Sequence, residues 1–154
     1  MKIREASRGD LKQIAELNKK YLHETGRDYG AYVSSVDTLF LVTEEENRLI
    51  GFSSISLEKW NNSAWVNQII IEPKFRRKGY TSKMISKMVA WAKKKNVRVA
   101  LVESQIGNVA ATNSYIKNEF RICGYNDRYY TNQPTDTNEI ALFLSQDLEG
   151  HVRA

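Results

Sequence analysis

Apolar and polar positions change period several times along the chain, and each change marks an element. Lys2 to Ala6 reads as a strand, and Ser7-Arg8-Gly9-Asp10 as a turn with Ser7 or Asp10 suited to cap a following helix. Leu11, Ile14, Ala15, Leu17, Tyr21 and Leu22 then form one helical face, followed by a short helix plus loop over 27–36. Leu39–Thr43 and Leu49–Leu57 read as two strands joined by the polar turn Glu44–Arg48. After a second turn, Trp60–Ser63, the strand Ala64–Ile71 ends in Ile69-Ile70-Ile71. An unbroken apolar run of this kind predicts burial on both faces, hence a central strand, and Pro73 stops it. Met84, Ile85, Met88, Val89 and Ala92 set out the strongest helix, from about Gly79 to Lys95. A strand over Val97–Val102, a helix over Asn108–Asn118, and strands over Phe120 to about Tyr130 and Glu139–Ser145 complete the order, with the last two separated by a loop around Pro134. This order predicts an α/β or α+β domain with one mostly antiparallel sheet and helices on its faces.

Composition narrows the picture. At 154 residues and 42% hydrophobic, the chain suits one domain, expected over residues 1–147 with a C-terminal tail over 148–154. No apolar run approaches the ~20 residues that span a bilayer. The charged start Met1-Lys2-Ile3-Arg4-Glu5 lacks a leader's apolar stretch, so a cytoplasmic protein is expected. Cys123 is alone, and His23 and His151 are far apart, so no metal site is expected. The net charge of +5 suits an anionic partner, but no nucleic-acid recognition motif accompanies it. The densest basic cluster, Arg76-Arg77-Lys78, lies beside Gly79 and ahead of a helix. A loop so placed presents successive backbone N–H groups to a pyrophosphate, and the same segment read plainly is a basic helix cap. Lys93-Lys94-Lys95 closes that helix, where it complements the helix dipole.

Two segments carry a family resemblance. Arg76-x-x-Gly79-x-Thr81 resembles the Arg/Gln-x-x-Gly-x-Gly/Ala pyrophosphate loop of the GNAT acetyltransferases, and it too follows a strand and opens a helix. Asn108-x-x-Ala111-x-x-x-Tyr115, with Phe120 closing it, is similar to that family's Asn-x-x-Ala-x-x-x-Tyr-x-x-x-Gly-Phe helix. The resemblance covers almost the whole chain. It implies the GNAT fold: a mixed, mostly antiparallel sheet of about six to seven strands, splayed at the central ones, with about four helices. It also implies acetyl-CoA as cofactor and transfer of its acetyl group to a primary amine. Trp60-Asn61, Val102-Glu103-Ser104-Gln105 and Asn138–Leu142 resemble streptothricin acetyltransferases. Glu103 through Tyr115, and Asp127–Tyr130, resemble acetyltransferases of ribosomal-protein N-termini. The small-molecule acceptor is preferred. A protein N-terminus or lysine, and a CoA-binding protein with weak activity, stand as alternatives, and a homodimer fits the pattern too.

What the resemblance implies for single residues is as follows. Backbone groups of Ile69, Ile70 and Ile71 and the loop from Arg76 through Arg77, Lys78, Gly79, Tyr80 and Thr81 to Ser82 would hold the cofactor. Ile70 or Ile71 would donate its N–H to the acetyl oxygen, and Asn108 would bond the pantetheine arm or simply cap its helix. Tyr115 matches the general acid toward the CoA thiolate; without the motif it would be a packed helix tyrosine. Glu103 matches the base, and its plain alternative is an ion-paired surface glutamate. Asn67-Gln68 stands where streptothricin acetyltransferases carry acidic residues, and neither side chain accepts a proton at neutral pH. With Glu103, Asn67 and Gln68, the aromatic residues Tyr21, Trp60 and Tyr129 would bind the acceptor; Tyr29, Tyr32 and Tyr130 are further candidates for its walls. Thr81 replaces a glycine, which requires a place inside the helix's first turn. Glu119 replaces another, leaving Asn118 as the residue suited to a left-handed cap.

Overall fold

The computed structural model describes residues 1–23, 27–133 and 139–149; Pro134, Asn138, His151 and the tail from 150 onward lie outside them. Seven strands, β1 (Lys2–Glu5), β2 (Thr38–Glu45), β3 (Arg48–Glu58), β4 (Ser63–Ile71), β5 (Val99–Gln105), β6 (Arg121–Asn126) and β7 (Ala141–Asp147), form one sheet in the order β1-β2-β3-β4-β5-β7-β6. Every pairing is antiparallel except β4 with β5. The Ile69–Ile71 run thus lies on the middle strand, as its apolarity predicts. Helices α1 (Leu11–Tyr21) and α2 (Tyr29–Ser34) pack with Phe40, Val42, Phe52 and Ile70 on one face over β2–β4. On the other face, α3 (Tyr80–Lys94) and α4 (Val109–Lys117) share the larger core with Ile55, Val66, Ala100, Val102 and Leu144. The mostly antiparallel mixed sheet of seven strands with four helices on its faces is the architecture expected from the sequence; the two-and-two division between the faces comes from the structure. Among the described residues, no helix is long and apolar enough to cross a membrane.

Local chemistry explains where the elements differ from the sequence reading. The β2–β3 turn is two residues rather than five. Glu45 pairs with Arg48, and Glu46 and Asn47 both take left-handed backbone, φ 52° and 60°. A two-residue turn with both φ positive matches the twist of the strands it joins. Strand β6 ends at Asn126, whose Oδ1 accepts the Arg128 N–H at 2.8 Å and turns the chain four residues before the predicted end. Ser7 opens a 3₁₀ turn over Arg8–Asp10. The Asp10 carboxylate accepts from the Ser7 N–H and from both Arg4 Nη atoms, so it does not cap α1. The Arg4 guanidinium holds that carboxyl well below the usual carboxylate range.

The end of α4 corrects one expectation. Asn118 has φ −99°, and Glu119 itself takes the left-handed position at φ 70°. The N–H groups of Glu119 and Phe120 donate to the carbonyls of Ile116 and Tyr115, both at 3.1 Å. This bond pair requires the left-handed residue at Glu119, one position beyond Asn118. Thr81, by contrast, lies within the first turn of α3 and has no positive φ, so its β-branch is accommodated.

Gly51 fixes how β3 meets the middle strand. A Cβ there would lie 2.3 Å from the Ile70 carbonyl oxygen and 2.5 Å from Ile71 Cδ1. Backbone this close cannot yield without moving β4. Gly51→Ala is expected to destabilise the protein by about 2–3 kcal/mol, seen in calorimetry as a Tm lowered by roughly 5–10 °C. An unchanged Tm would mean that β4 shifts freely.

Candidate active site

The sheet opens at its centre. β4 pairs with β5 only from Ser63 to Val66, opposite Val99 to Val102; beyond that point β5 continues against β7 alone. The residues from Asn67 to Ile71 therefore have a neighbour on the β3 side only. A bulge marks the departure, since Ser54 pairs with Gln68 and Ile55 with Val66, leaving Asn67 extra. The Glu72 N–H donates to the Ile50 carbonyl at 2.8 Å, and peptide groups alternate along an antiparallel pair. The Ile70 N–H therefore points into β3, while those of Ile69 and Ile71 face the opening. Of the two predicted N–H donors, Ile71 fits and Ile70 does not, and Ile69 joins it.

The basic loop closes one end of the opening. Gly79 sits at φ 81° with no atom within 4 Å of where a Cβ would be, and Arg77 is also left-handed at φ 61°. Among the described residues no side chain caps α3, so the N–H groups of its first turn, Tyr80 to Ser82, are left for an outside acceptor. The loop is anchored on both sides. Arg76 Nε donates to the Ile71 carbonyl at 3.0 Å, the Tyr80 hydroxyl donates to Glu45, and Arg48 grips Glu72 through two bonds of 2.6 and 3.0 Å. The Arg48 guanidinium keeps the Glu72 carboxyl below its ordinary pKa. Lys78 holds its ammonium 5.1 Å from the Phe75 ring centre.

Helix α4 forms the far wall. The Asn108 side chain accepts the Ala111 N–H at 3.2 Å, so it does cap the helix, and the residue also borders the opening. Tyr115 is buried, and burial raises its phenol well above the usual range, with the Glu103 charge adding to the effect. Glu103 is half-buried. Its Oε1 is shut off from solvent with no hydrogen-bond partner among the described residues, and desolvation pushes its carboxyl pKa up. Glu103 stands on the α1–α2 face of β5, in register with Phe143, whereas α4 packs on the opposite face.

One cavity of about 660 Å³ brings together Tyr21, Ile69, Ile70, Ile71, Arg76, Arg77, Gly79, Tyr80, Thr81, Ser82, Asn108 and Tyr115. Lys78, Trp60, Asn67, Gln68, Glu103 and Tyr129 do not line it. Trp60 lies on the β3–β4 turn at the closed end of β4, 84% exposed, and so is not brought to the opening. Tyr29 is a core residue, edge-on to Phe40 and Phe52. The cavity also takes in Phe75, Ala110, Ser114 and Lys117, which sequence reasoning left out. Ala110, Ser114 and Lys117 recur at four- and three-residue steps beside the Asn108–Ala111–Tyr115 face, and that spacing was the available signal.

The Acetyltransferase (GNAT) family model matches residues 8–120, more than half of the chain. The chain belongs to the GNAT acetyltransferase family. Streptothricin acetyltransferase A of Bacillus subtilis (strain 168) is 34% identical over 98 residues, which are 64% of this chain and 56% of that enzyme's length. The crystal structure of a putative streptothricin acetyltransferase from Bacillus anthracis str. Ames, in complex with acetyl coenzyme A, superposes with TM-score 0.82 at 25% identity over 96% of this chain and 98% of that one. Ribosomal-protein-S18-alanine N-acetyltransferase from Escherichia coli shares the fold at TM-score 0.79 and 17% identity, over 99% of this chain and 96% of that one. The GNAT motif residues Arg76, Gly79, Asn108 and Tyr115 thus converge on one opening in a GNAT fold.

Proposed function

We propose that this GNAT protein transfers the acetyl group of acetyl-CoA to a primary amine of a small molecule, with a streptothricin-like antibiotic as one such acceptor and antibiotic resistance as the corresponding role. One observation carries the reading. The uncapped start of α3, with open space above a left-handed Gly79, shares a cavity with the free peptide edge of β4 and with Tyr115. The Tyr80–Ser82 N–H groups and the cation Arg77 suit a pyrophosphate. The β4 edge suits the amide-rich pantetheine arm. Bound there, acetyl-CoA supplies an acetyl group activated as a thioester.

The chain's own groups divide the remaining work. The N–H groups of Ile69 and Ile71 are fixed donors on the opening; one is placed to hold the acyl oxygen, where such donors often provide the largest catalytic effect. Tyr115 keeps its proton throughout the neutral range, because burial and the Glu103 charge both disfavour phenolate, and so it serves as donor to the departing sulfur. Glu103, poorly solvated and raised in pKa, accepts the proton that the attacking ammonium must lose. Asn67 hydrogen-bonds to Ser54 and Ser56, so it binds rather than moves protons.

Gly79→Leu tests the cofactor part. The side chain would fill the space above the loop, and calorimetry should show CoA affinity reduced by at least roughly tenfold, with the affinity of the parent falling as salt is added. Because φ 81° strains any L-residue, Gly79→Ala serves as the milder companion, and circular dichroism checks that both variants fold. Unchanged CoA affinity in a folded Gly79→Leu protein would remove the pyrophosphate assignment.

A further inference from the structure

The middle of the cofactor loop does not fix its own position. Among the described residues, the N–H groups of Arg77, Lys78 and Gly79 donate to no backbone carbonyl, and Arg77 and Gly79 both hold left-handed backbone. Such conformations persist only where the surroundings impose them. We propose that the tip of the β2–β3 hairpin imposes this one: Glu45 and Arg48 are positioning residues that hold the loop in the shape that binds the pyrophosphate of CoA. The inference rests on the pyrophosphate reading above and names two residues outside the cavity that set its strength.

The hairpin tip reaches both ends of the loop. Glu45 and Arg48 face each other across the two-residue turn. From there the Arg48 guanidinium takes the carboxylate of Glu72, directly after β4, through bonds of 2.6 and 3.0 Å. Glu45 accepts the hydroxyl of Tyr80, the first residue of α3. The two grips frame the whole of 73–79. Both land on buried groups: Glu72 and Tyr80 are each 5% exposed, and Tyr80 packs with Ile50, Ile71 and Met84. The Glu72 N–H on the Ile50 carbonyl and Arg76 Nε on the Ile71 carbonyl tie the same start to the sheet. Glu45 and Arg48 do not line the cavity, so they act on the cofactor through the loop. Backbone donors bind an anion well only when they converge on it, because a hydrogen bond weakens steeply as its angle closes. A loop freed at either end must be ordered again by the ligand, at the expense of affinity.

Positioning and simple charge predict opposite signs at Glu45. A carboxylate near an anion site repels the ligand, so its removal would tighten binding if charge alone mattered. As the tie on Tyr80, its removal loosens binding instead. Glutamine at the same position keeps an acceptor oxygen and loses the charge, which separates the two effects.

Calorimetry with CoA on the parent, Glu45→Ala, Glu45→Gln, Tyr80→Phe and Arg48→Ala decides the matter, with pantetheine, which lacks the pyrophosphate, as a second probe. Glu45→Ala and Tyr80→Phe should each raise the CoA Kd about fivefold, and the two together no further, because both cut one tie. Arg48→Ala should raise it about tenfold, and its factor should multiply with that of Tyr80→Phe, because the ties are separate. Glu45→Gln should stay within about twofold of the parent. Pantetheine affinity should change by less than about twofold in Glu45→Ala and Arg48→Ala, since neither acts on that arm. If Arg48→Ala does not fold with Glu72 left uncompensated, Arg48→Ala combined with Glu72→Gln takes its place. CoA affinity unchanged or tightened in Glu45→Ala, or an equal loss for CoA and pantetheine, overturns the proposal. Gly79→Leu separates it from the reading it rests on. CoA affinity lost in Gly79→Leu but kept in every hairpin variant leaves the pyrophosphate site standing and overturns the role of the hairpin. CoA bound equally by the parent and a folded Gly79→Leu protein removes the pyrophosphate reading, and the hairpin's role with it.

Discussion

Replacing Glu103 with glutamine is expected to lower kcat/KM for the acceptor amine about 10²- to 10⁴-fold at neutral pH, the scale of a positioned general base. An acceptor amine is mostly ammonium there, and only its neutral form attacks a thioester. As pH rises and free amine forms unaided, the variant should recover part of the loss. If Glu103 merely held the cation, the defect would lie in KM and persist until the amine itself titrated. The same substitution should raise stability. Burial lifts the folded-state pKa of Glu103 above its ordinary 4.5, so the ionised side chain is a cost to the folded protein at neutral pH. As pH falls through the raised value, the folded state takes up a proton before the unfolded chain does, and the parent gains stability. Below about 4.5 both states are protonated and the gain is complete. Glu103→Gln should therefore exceed the parent in Tm near pH 7 and match it near pH 4. Thermal melts at both values check this, and a variant less stable than the parent at neutral pH would count against an unsatisfied buried carboxylate.

Tyr115→Phe should leave CoA affinity and fold intact and reduce kcat roughly ten- to a thousand-fold, in keeping with the loss of a positioned acid. The ring stays packed against Phe120, which lies 5.8 Å away between centroids, so little packing is lost. Because the phenol is raised well above its ordinary range, no limb of the pH profile between neutral and mildly alkaline values should belong to it. Equal turnover by Tyr115→Phe and the parent would take Tyr115 out of the mechanism.

Much of the site could be read from the chain because its parts are local. Arg76 to Ser82 is a contiguous loop and helix start, and Asn108, Ala111 and Tyr115 recur at helical spacing, so one segment suffices to place each group. The three isoleucines announced a middle strand for the same reason: burial on both faces leaves no room for alternation. The aromatic residues were less informative. Tyr29 in the core, Tyr129 against Phe143 and Trp60 in solvent have similar local sequence character, and only packing separates them.

The sequence by itself determined the order and type of the elements and the loop that can hold a pyrophosphate, since periodicity and helix-start chemistry act over a few residues. The tertiary structure decided everything that depends on long-range register. Pairing with β3 turned the Ile70 N–H inward and left Ile69 and Ile71 free, and the bulge at Asn67 set that amide on Ser54 and Ser56. Separation of β4 from β5 after Val66 left Glu103 at the split, and the pairing of β5 with β7 set Phe143 opposite it. A side chain's face and its solvation depend on which strand lies next to it, and partners dozens of residues away in the chain supply that neighbour.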